Sequence, residues 1–361
     1  MKRAPPHQSR RLSPYCARLN EWRCAILPPV DLRFPKAELH LHLEGTIEPE
    51  TLRELARRHG MPAAGFSEAE LAERYRYSGF EGFLRAFQWV TLHLQTPQDY
   101  GLAAERCLER LAAQDVRYAE VYFSAGICLR KGQAVEPIFQ ALDEARRAAE
   151  VRWGIRAQWI FDAVRQFGAE AAEQVARLAA RWRDRAVVGI GLGGSEEEGP
   201  PALFRRVYET ARSEGLRLSV HAGETTGPES IWAAIRELGA ERIGHGTSVL
   251  QDPALVDYLR ERQIPLEVCV TSNYSTGVVE AGAEHPVRRM FEAGLMVVIG
   301  SDDPAMFGAS INAEYARLVE SHGFSGTEVR ELAKNSFRAA WLAEAEKEAY
   351  LATELGQNLR G

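Results

Sequence analysis

The stretch AELHLHL at residues 37–43 alternates apolar residues with Glu38, His40 and His42. This alternation is typical of a β-strand, in which successive side chains point to opposite faces, so both imidazoles lie on one side. Seven further β-rich runs follow, separated by long amphipathic segments: RYAEVYF (117–123), RAQWIFD (156–162), VVGIGLG (187–193), LRLSVHA (216–222), ERIGHG (241–246), IPLEVCV (264–270) and LMVVIGSD (295–302). Eight short strands alternating with helical segments predict an α/β fold of parallel strands and crossover helices, and they favour a closed (β/α)8 TIM barrel over an open sheet.

The length of the chain fits one such barrel with insertions, since barrels of this kind tolerate them. The segment 47–115 between the first two strands is rich in Glu, Arg, Ala and Leu. It predicts extra helices inserted after strand 1 that cap the barrel mouth. We therefore expect a single domain over residues 34–361. Residues 1–33 are rich in arginine with scattered prolines, which predicts a flexible N-terminal tail; a targeting or interaction arm is the alternative.

Composition excludes several classes of function. The net charge is -6, and the basic residues are interspersed with acidic ones, so we expect no nucleic-acid partner. No run approaches the roughly 18 apolar residues of a membrane span, and the opening lacks the apolar region of a signal peptide. Five cysteines at no metal or disulfide spacing indicate a reducing compartment, and we expect a cytoplasmic protein. A homo-oligomer is left open by the sequence.

Residues able to bind a metal stand at the ends of several predicted strands. His221 ends the fifth strand, His245 the sixth, and Asp302 with Asp303 the eighth. Barrel enzymes assemble their sites at this carboxyl end, and an unpaired polar group buried there is costly. Singly, each residue also fits a hydrogen-bonded core histidine or a helix N-cap aspartate. Together with the two histidines of the first strand, they favour a site for one divalent metal ion.

Four motifs surround these residues: HLHLEG at 40–45, HAGE at 221–224, IGHG at 243–246 and SDDP at 301–304. Although HLH or DD alone is a weak signal, the set in this order is specific. With it the chain resembles the adenosine deaminase family of the amidohydrolase superfamily, from about Phe34 to the helices after residue 315. The resemblance implies hydrolytic removal of the 6-amino group from an adenine-type purine, with water as the second substrate.

The resemblance also implies the metal site. One Zn²⁺ per chain would be held by four protein ligands, His40, His42, His221 and Asp302. An open position would remain for a water molecule, whose pKa the metal lowers toward about 7. The resulting hydroxide would attack C6 of the purine.

Four more residues receive roles from the resemblance. Glu224 is placed like the family's proton donor to N1, which requires a carboxyl group kept protonated by burial. His245 resembles the histidine that orients and helps deprotonate the attacking water. Asp303 matches the residue that hydrogen-bonds N7. The backbone N–H of Gly194 matches the donor to N3, where glycine lets the backbone approach a flat ring.

The chain departs from the adenosine-specific members in the first motif. Those members carry an aspartate that contacts the ribose 5′-hydroxyl, whereas this chain has Glu44. The segment GLGGSE at 191–196 replaces the common DLAGDE, so Gly191 and Ser195 stand where acidic residues are frequent. Together with the TSN-containing loop and DAVRQFG at 162–168, this mixture resembles the branch that deaminates 6-aminodeoxyfutalosine. That compound is an adenosine-like intermediate of menaquinone biosynthesis with a benzoate-bearing chain on its 5′ side. A tolerated exchange at Glu44, with adenosine as the substrate, and a free-adenine deaminase are the alternatives.

Residues near the barrel mouth have two interpretations each. Arg165 could bind a substrate carboxylate through its guanidinium, or form a structural ion pair at the end of the third strand. Phe83, Phe87 and Trp89 could line the pocket over the sugar, although aromatic residues at helical spacing more often belong to the core.

Two other functions compete. A metal-dependent hydrolase acting on another bond would use the same barrel, but such relatives commonly bridge two metals with a modified lysine of the fourth strand, and VVGIGLG has no lysine. A non-catalytic binding module would be indicated by loss of a ligand or of Glu224, and all of these residues are present.

Overall fold

The computed structural model describes residues 32–353. Eight parallel strands follow one another around a single sheet in the order in which they occur in the chain. They are β1 (Lys36–His42), β2 (Val116–Phe123), β3 (Arg156–Val164), β4 (Val187–Gly193), β5 (Arg217–Ala222), β6 (Arg242–His245), β7 (Leu266–Val268) and β8 (Val297–Ile299). A parallel bridge between Leu41 and Asp302 joins the two ends of the sheet. The fold is the predicted (β/α)8 barrel.

Helices separate the strands and surround the barrel. In the described chain they are α1 (Pro49–Arg58), α2 (Glu68–Arg74), α3 (Gly79–Thr91), α4 (Pro97–Ala112), α5 (Ala125–Arg130), α6 (Val135–Trp153), α7 (Gly168–Arg181), α8 (Arg205–Ser213), α9 (Pro228–Ala233), α10 (Pro253–Arg262), α11 (Val270–Ser275), α12 (Val287–Glu292), α13 (Pro304–Phe307), α14 (Ile311–Ser321), α15 (Gly326–Ala339) and α16 (Glu344–Thr353). The inserted helices predicted after strand 1 are α1 to α4, and α3 reaches the barrel mouth.

Local sequence explains individual elements. All seven residues of β1 are buried, because its leucines lie under α15 while Glu38, His40 and His42 face the barrel interior. Helix α10 shows how its N-terminal end is set: Pro253 occupies the first turn, and the Asp252 carboxylate accepts hydrogen bonds from the backbone N–H groups of the next turn. None of the helices of residues 32–353 combines the length and apolarity needed to cross a bilayer.

The structure corrects the predicted ends of two strands. β7 and β8 have three residues each, although the apolar runs predicted strands over 264–270 and 295–302. The chain leaves β7 because α11 begins at Val270. Beyond β8, Asp302 makes an isolated bridge to Leu41 and takes a left-handed conformation with φ of 61°. Residues 1–31 of the predicted tail lie outside the described residues, and Leu32, which follows them, is buried in the core.

Candidate active site

The side chains at the carboxyl ends of β1, β5 and β8 meet inside the barrel. The Nε2 atoms of His42 and His221 are 3.2 Å apart, and Asp302 Oδ1 lies 3.4 Å from His42 Nε2 and 3.6 Å from His40 Nε2. Ligand atoms of His40, His221, His245 and Asp302 lie within 4.8 Å of one another, and those of His42, Asp302 and Asp303 form a second such group that shares Asp302. The four predicted ligands therefore lie close together, with His245 among them.

The spacing and chemistry of this cluster fit a divalent metal ion. Donors at roughly 2.1 Å from one tetrahedral ion lie about 3.4 Å from one another. Three of the separations, between His42 and His221 and from Asp302 to His40 and His42, are close to this value at 3.2–3.6 Å. His40 supplies a second indication. Its Nδ1 is 2.9 Å from the Glu267 carboxylate, so Nδ1 carries the proton, and the buried Nε2, which has no hydrogen-bond partner among the described residues, presents its lone pair. Three imidazoles and a carboxylate are the donor set that zinc prefers.

A buried column of charged side chains, Glu267, Arg242 and Glu120, supports His40. Glu267, which accepts from His40, also pairs with Arg242, and Arg242 pairs with Glu120; the two N–O distances are 2.7 and 2.6 Å. All these groups are almost fully buried. Two carboxylates around one guanidinium compensate each other in the interior, where an unpaired charge would be very costly. The orientation of His40 is therefore fixed by residues of β2, β6 and β7.

Backbone strain accompanies two of these residues. His245 and Asp302 both have φ of 61°, a region that residues with a Cβ seldom occupy. For Asp302 the surrounding backbone maintains this conformation: its N–H donates to His40 O, and its carbonyl accepts from His42 N, both at 2.9 Å. Such strain is concentrated at functional sites. Here it turns the carboxylate of Asp302 toward the two histidines of β1.

Glu224 lies beside the histidine cluster, with its Oε2 3.6 Å from His245 Nε2. Burial, and next the charge of Asp302, raise the pKa of Glu224 well above its usual range, which favours the protonated carboxyl group. Its backbone is held by Glu196, which accepts hydrogen bonds from the N–H groups of Gly223, Glu224 and Thr225 at 2.8–2.9 Å. Sequence reasoning missed Glu196, although it is the last residue of the quoted segment GLGGSE.

A buried relay fixes the tautomer of His245. The Val287 N–H donates to His285 Nδ1 (3.0 Å), so His285 donates through Nε2 to Asn273 Oδ1 (3.1 Å). The Asn273 amide then donates to His245 Nδ1 (3.2 Å), which leaves the proton of neutral His245 on Nε2, the atom that faces Glu224. Burial lowers the pKa of His245 to about 4, so the ring is neutral at pH 7. The sequence pointed to the TSN segment, but it gave no sign of His285.

Asp303 and Gly194 line the same pocket. Burial, and next the neighbouring Asp302, raise the pKa of Asp303 well above its usual range, and its buried Oδ1 has no hydrogen-bond partner among residues 32–353. Gly194 has φ of 94°, and a Cβ there would lie 2.2 Å from Oε1 of Gln166. Because residues with a Cβ rarely adopt this φ, glycine is strongly favoured at this position.

Asp162 is a pocket residue that sequence reasoning did not select. It ends the run RAQWIFD, which is the same signal that identified His221 and Asp302. Its carboxylate occupies the space above Gly191, where a Cβ would lie 2.5 Å from Asp162 Oδ1. The unusual glycine of GLGGSE is thus explained by a carboxylate supplied from the neighbouring strand. Burial, and next the charge of Glu44, raise the pKa of Asp162 to about 8.

These residues form the inner half of a cavity of about 270 Å³. We define the inner half by His42, His221, Glu224, His245, Asp302 and Asp303. The remainder, the outer half, is mainly apolar and is built from α3, α5 and the turn after β3; we define it by Phe80, Phe83, Leu84, Phe87, Ile127, Arg130 and Phe167. Two of the three predicted aromatic residues therefore line the pocket. Trp89 does not, and packs against Tyr75 and His93 instead.

The structure gives Glu44 and Arg165 positions that the sequence did not predict. Neither side chain is part of the cavity wall. The Glu44 carboxylate accepts from the backbone N–H and the hydroxyl of Ser124 (3.0 and 3.1 Å), and Ser124 lines the cavity. The buried Arg165 guanidinium donates to the carbonyls of Gly199 and His221, so it serves neither as a free carboxylate receptor nor as the suggested ion pair. One of these hydrogen bonds fixes the backbone carbonyl of His221.

The family model for adenosine deaminase matches residues 35–355. The chain therefore belongs to the adenosine deaminase family and is a hydrolytic deaminase acting on C–N bonds of adenine-type substrates. This membership decides against the two competing functions, a hydrolase of another bond and a non-catalytic binding module.

Relatives within the family carry two different names. The chain is 42% identical to an aminodeoxyfutalosine deaminase of Streptomyces avermitilis, over 89% of this chain and 90% of the relative. It is 38% identical to an adenine deaminase of Streptomyces coelicolor, over 87% and 92%. Among solved structures, it is similar to an adenine deaminase of Arthrobacter aurescens (TM-score 0.87, 34% identity, 91% of this chain and all of the other). It is also similar to an amidohydrolase of Burkholderia ambifaria with bound zinc (TM-score 0.81, 28% identity, 89% of each chain).

Proposed function

We propose that this protein is a zinc-dependent deaminase whose preferred substrate is 6-aminodeoxyfutalosine, an adenine nucleoside with a carboxylate-bearing aromatic chain on its 5′ side. The observation that carries the proposal is the outer half of the cavity. A free adenine ring needs only the inner half, whereas an apolar extension bordered by an arginine suits a large 5′ substituent. The relative at 42% identity, named for this substrate, supports the same choice.

One zinc ion would be held by His40, His42, His221 and Asp302. When bound, it would supply the activation of the water that hydrolysis consumes. The relative with bound zinc and the unpartnered Nε2 of His40 support this assignment.

Each ring nitrogen of adenine that accepts a hydrogen bond has a candidate donor among the cavity residues. N1, N3 and N7 of adenine are all hydrogen-bond acceptors, so each requires a donor. Protonated Glu224 would donate to N1 and so allow the ring to accept charge when C6 is attacked. Protonated Asp303 would donate to N7, and the Gly194 N–H to N3. His245, neutral and protonated on Nε2, would orient the attacking water. An ionised carboxylate at either acidic position would repel the ring nitrogen it faces.

Free adenine is the second candidate substrate, because adenine deaminases match the chain at 38% sequence identity and at a TM-score of 0.87. One experiment separates the candidates. Ammonia release is followed with 6-aminodeoxyfutalosine, adenosine, 5′-methylthioadenosine, AMP and adenine, on protein whose metal content has been measured. We expect one zinc per chain and the highest kcat/KM with 6-aminodeoxyfutalosine. A higher kcat/KM with adenine would establish the second candidate.

A further inference from the structure

Two basic residues lie together at the mouth of the cavity, and only one of them is engaged. The Lys131 ammonium donates to the carbonyls of Thr91 and Leu94 at 2.8 and 2.7 Å, so it ties α5 to the end of α3. Arg130 lies over the ring of Phe167, with 5.4 Å between guanidinium carbon and ring centroid. Within residues 32–353, no carboxylate forms an ion pair with Arg130. Its N–H edges are therefore available to a ligand.

The wall between Arg130 and the inner half is mainly apolar and is formed chiefly by Phe83, Leu84 and Phe87 of α3 and by Phe167 after β3. The polar residues that also line the cavity, Gln88, Thr91, Ser124 and Gln166, are uncharged. An ionic substituent resting there would lose hydration without an opposite charge to compensate it. A substituent with an apolar body would bury that body against these side chains and carry its charge to the exposed guanidinium. Stacking on Phe167 orients the planar guanidinium, which suits two-point recognition of a carboxylate.

The distribution of charge along the cavity gives such a substrate one orientation. The acidic groups Asp162, Glu224, Asp302 and Asp303 all lie at the inner end, while Arg130 lies at the outer end. The exposed guanidinium of Arg130 would attract an anionic group to the outer end. The adenine ring therefore enters first, and the anion stays at the mouth.

From this arrangement we propose that Arg130 binds the carboxylate at the far end of the substrate's 5′ substituent and thereby determines specificity for anionic nucleosides. The inference rests on the proposed function in one respect, namely that the substrate is an adenine nucleoside with an extended 5′ chain. The carboxylate-binding role considered for Arg165, which donates to backbone carbonyls, is thereby assigned to Arg130, which lines the cavity.

The test compares one substrate with its neutral counterpart. The kcat/KM measured with the free acid, 6-aminodeoxyfutalosine, is divided by the kcat/KM measured with its methyl ester, for the unmodified protein and for Arg130→Gln. We expect Arg130→Gln to lower this acid-to-ester ratio at least thirtyfold, chiefly through KM, and Arg130→Lys to lower it less because the charge is kept. Arg85→Gln, which removes an exposed arginine paired with Glu81 on α3 outside the cavity, should leave the ratio unchanged. An unchanged ratio in Arg130→Gln would overturn the proposal.

The outcome is separable from that of the proposed function. If the unmodified protein prefers adenine or adenosine to 6-aminodeoxyfutalosine, the proposed function fails, while the acid-to-ester ratio still reports on Arg130. AMP provides a further arm, since its phosphate is a second source of negative charge. If Arg130→Gln impairs turnover of AMP but leaves the acid-to-ester ratio intact, Arg130 is a phosphate site and the proposal for a distal carboxylate is wrong.

Discussion

The inner and outer halves of the cavity are built in different ways. In the inner half, each functional side chain stands at the end of a barrel strand or in the turn after it. Most are fixed by a buried partner, as Glu267 fixes His40 and Glu196 fixes the Glu224 turn. The outer half is made mainly of apolar side chains from α3, α5 and the turn after β3, with Arg130 over the ring of Phe167 at the mouth. We expect the inner half to carry the reaction and the outer half to select the substrate.

The largest expected effect is a loss of kcat on changing Glu224, a residue of the inner half. Glu224→Gln keeps the size of the side chain but removes the proton donor, so kcat should fall by at least about 10²–10⁴-fold for every substrate. The preference among substrates should remain. Steady-state rates with each substrate test both expectations, and the zinc content shows whether the site stays intact. Glu197→Gln, a change at an exposed residue in the same region, is the control. Near-normal turnover by Glu224→Gln would refute the assigned mechanism.

A large loss of stability is expected when the buried charges that support His40 are disturbed. Arg242→Met leaves Glu120 and Glu267 buried without their shared partner, so the free energy of unfolding should fall by about 3–5 kcal/mol. Arg217→Met removes an exposed arginine that pairs with Glu241 at 2.6 Å, and should cost no more than about 1 kcal/mol. Denaturant titration compares the two variants. Equal losses would show that the buried column does not support the site.

The relay behind His245 should have a smaller effect on the rate. Asn273→Asp replaces the amide that donates to His245 Nδ1 by an acceptor, so the imidazole must move its proton to Nδ1 and lose it from Nε2. We expect kcat to fall about 10–100-fold, as for other residues that orient a metal-site histidine. Asn335→Asp, outside the cavity, serves as the matched control. A rate unaffected by Asn273→Asp would mean that the tautomer of His245 is immaterial.

The smallest expected effect is a change in substrate preference on shortening Glu44, which contacts the cavity residue Ser124. Shortening this side chain in Glu44→Asp withdraws the acceptor from Ser124, which lines the cavity. We expect the preference for 6-aminodeoxyfutalosine over adenosine to narrow about fivefold, less than the roughly 10–200-fold of a methylene group in direct contact with a substrate, because Glu44 acts through Ser124. Parallel kcat/KM measurements with both nucleosides provide the readout. An unchanged preference would place Glu44 outside the control of specificity.

The difference between the halves also explains what the sequence could predict. His221, His245 and Asp302 are identifiable because each interrupts an apolar strand at its end. The same signal exists for Asp162, which sequence reasoning missed. The support of His40 is not predictable, since Glu267 lies 227 residues away and the pairing depends on closure of the barrel.

Other assignments failed for reasons of packing. Arg165 has a side chain suited to a substrate carboxylate, yet the carbonyls that it binds become its neighbours only in the folded chain. Arg130 has no sequence signal, because it ends a six-residue helix and acquires meaning only from Phe167 and the wall of α3. The short lengths of β7 and β8 likewise depend on turns that apolar runs do not reveal.

Selection of the substrate by the outer half is measured by one ratio, kcat/KM with 6-aminodeoxyfutalosine divided by kcat/KM with free adenine. Adenine engages only the inner half, so the ratio isolates what the outer half contributes to transition-state binding. We expect a ratio of at least about 10, equivalent to about 1.4 kcal/mol. A ratio of 1 or less would contradict this division of the cavity, and would leave the outer half without a part in substrate selection.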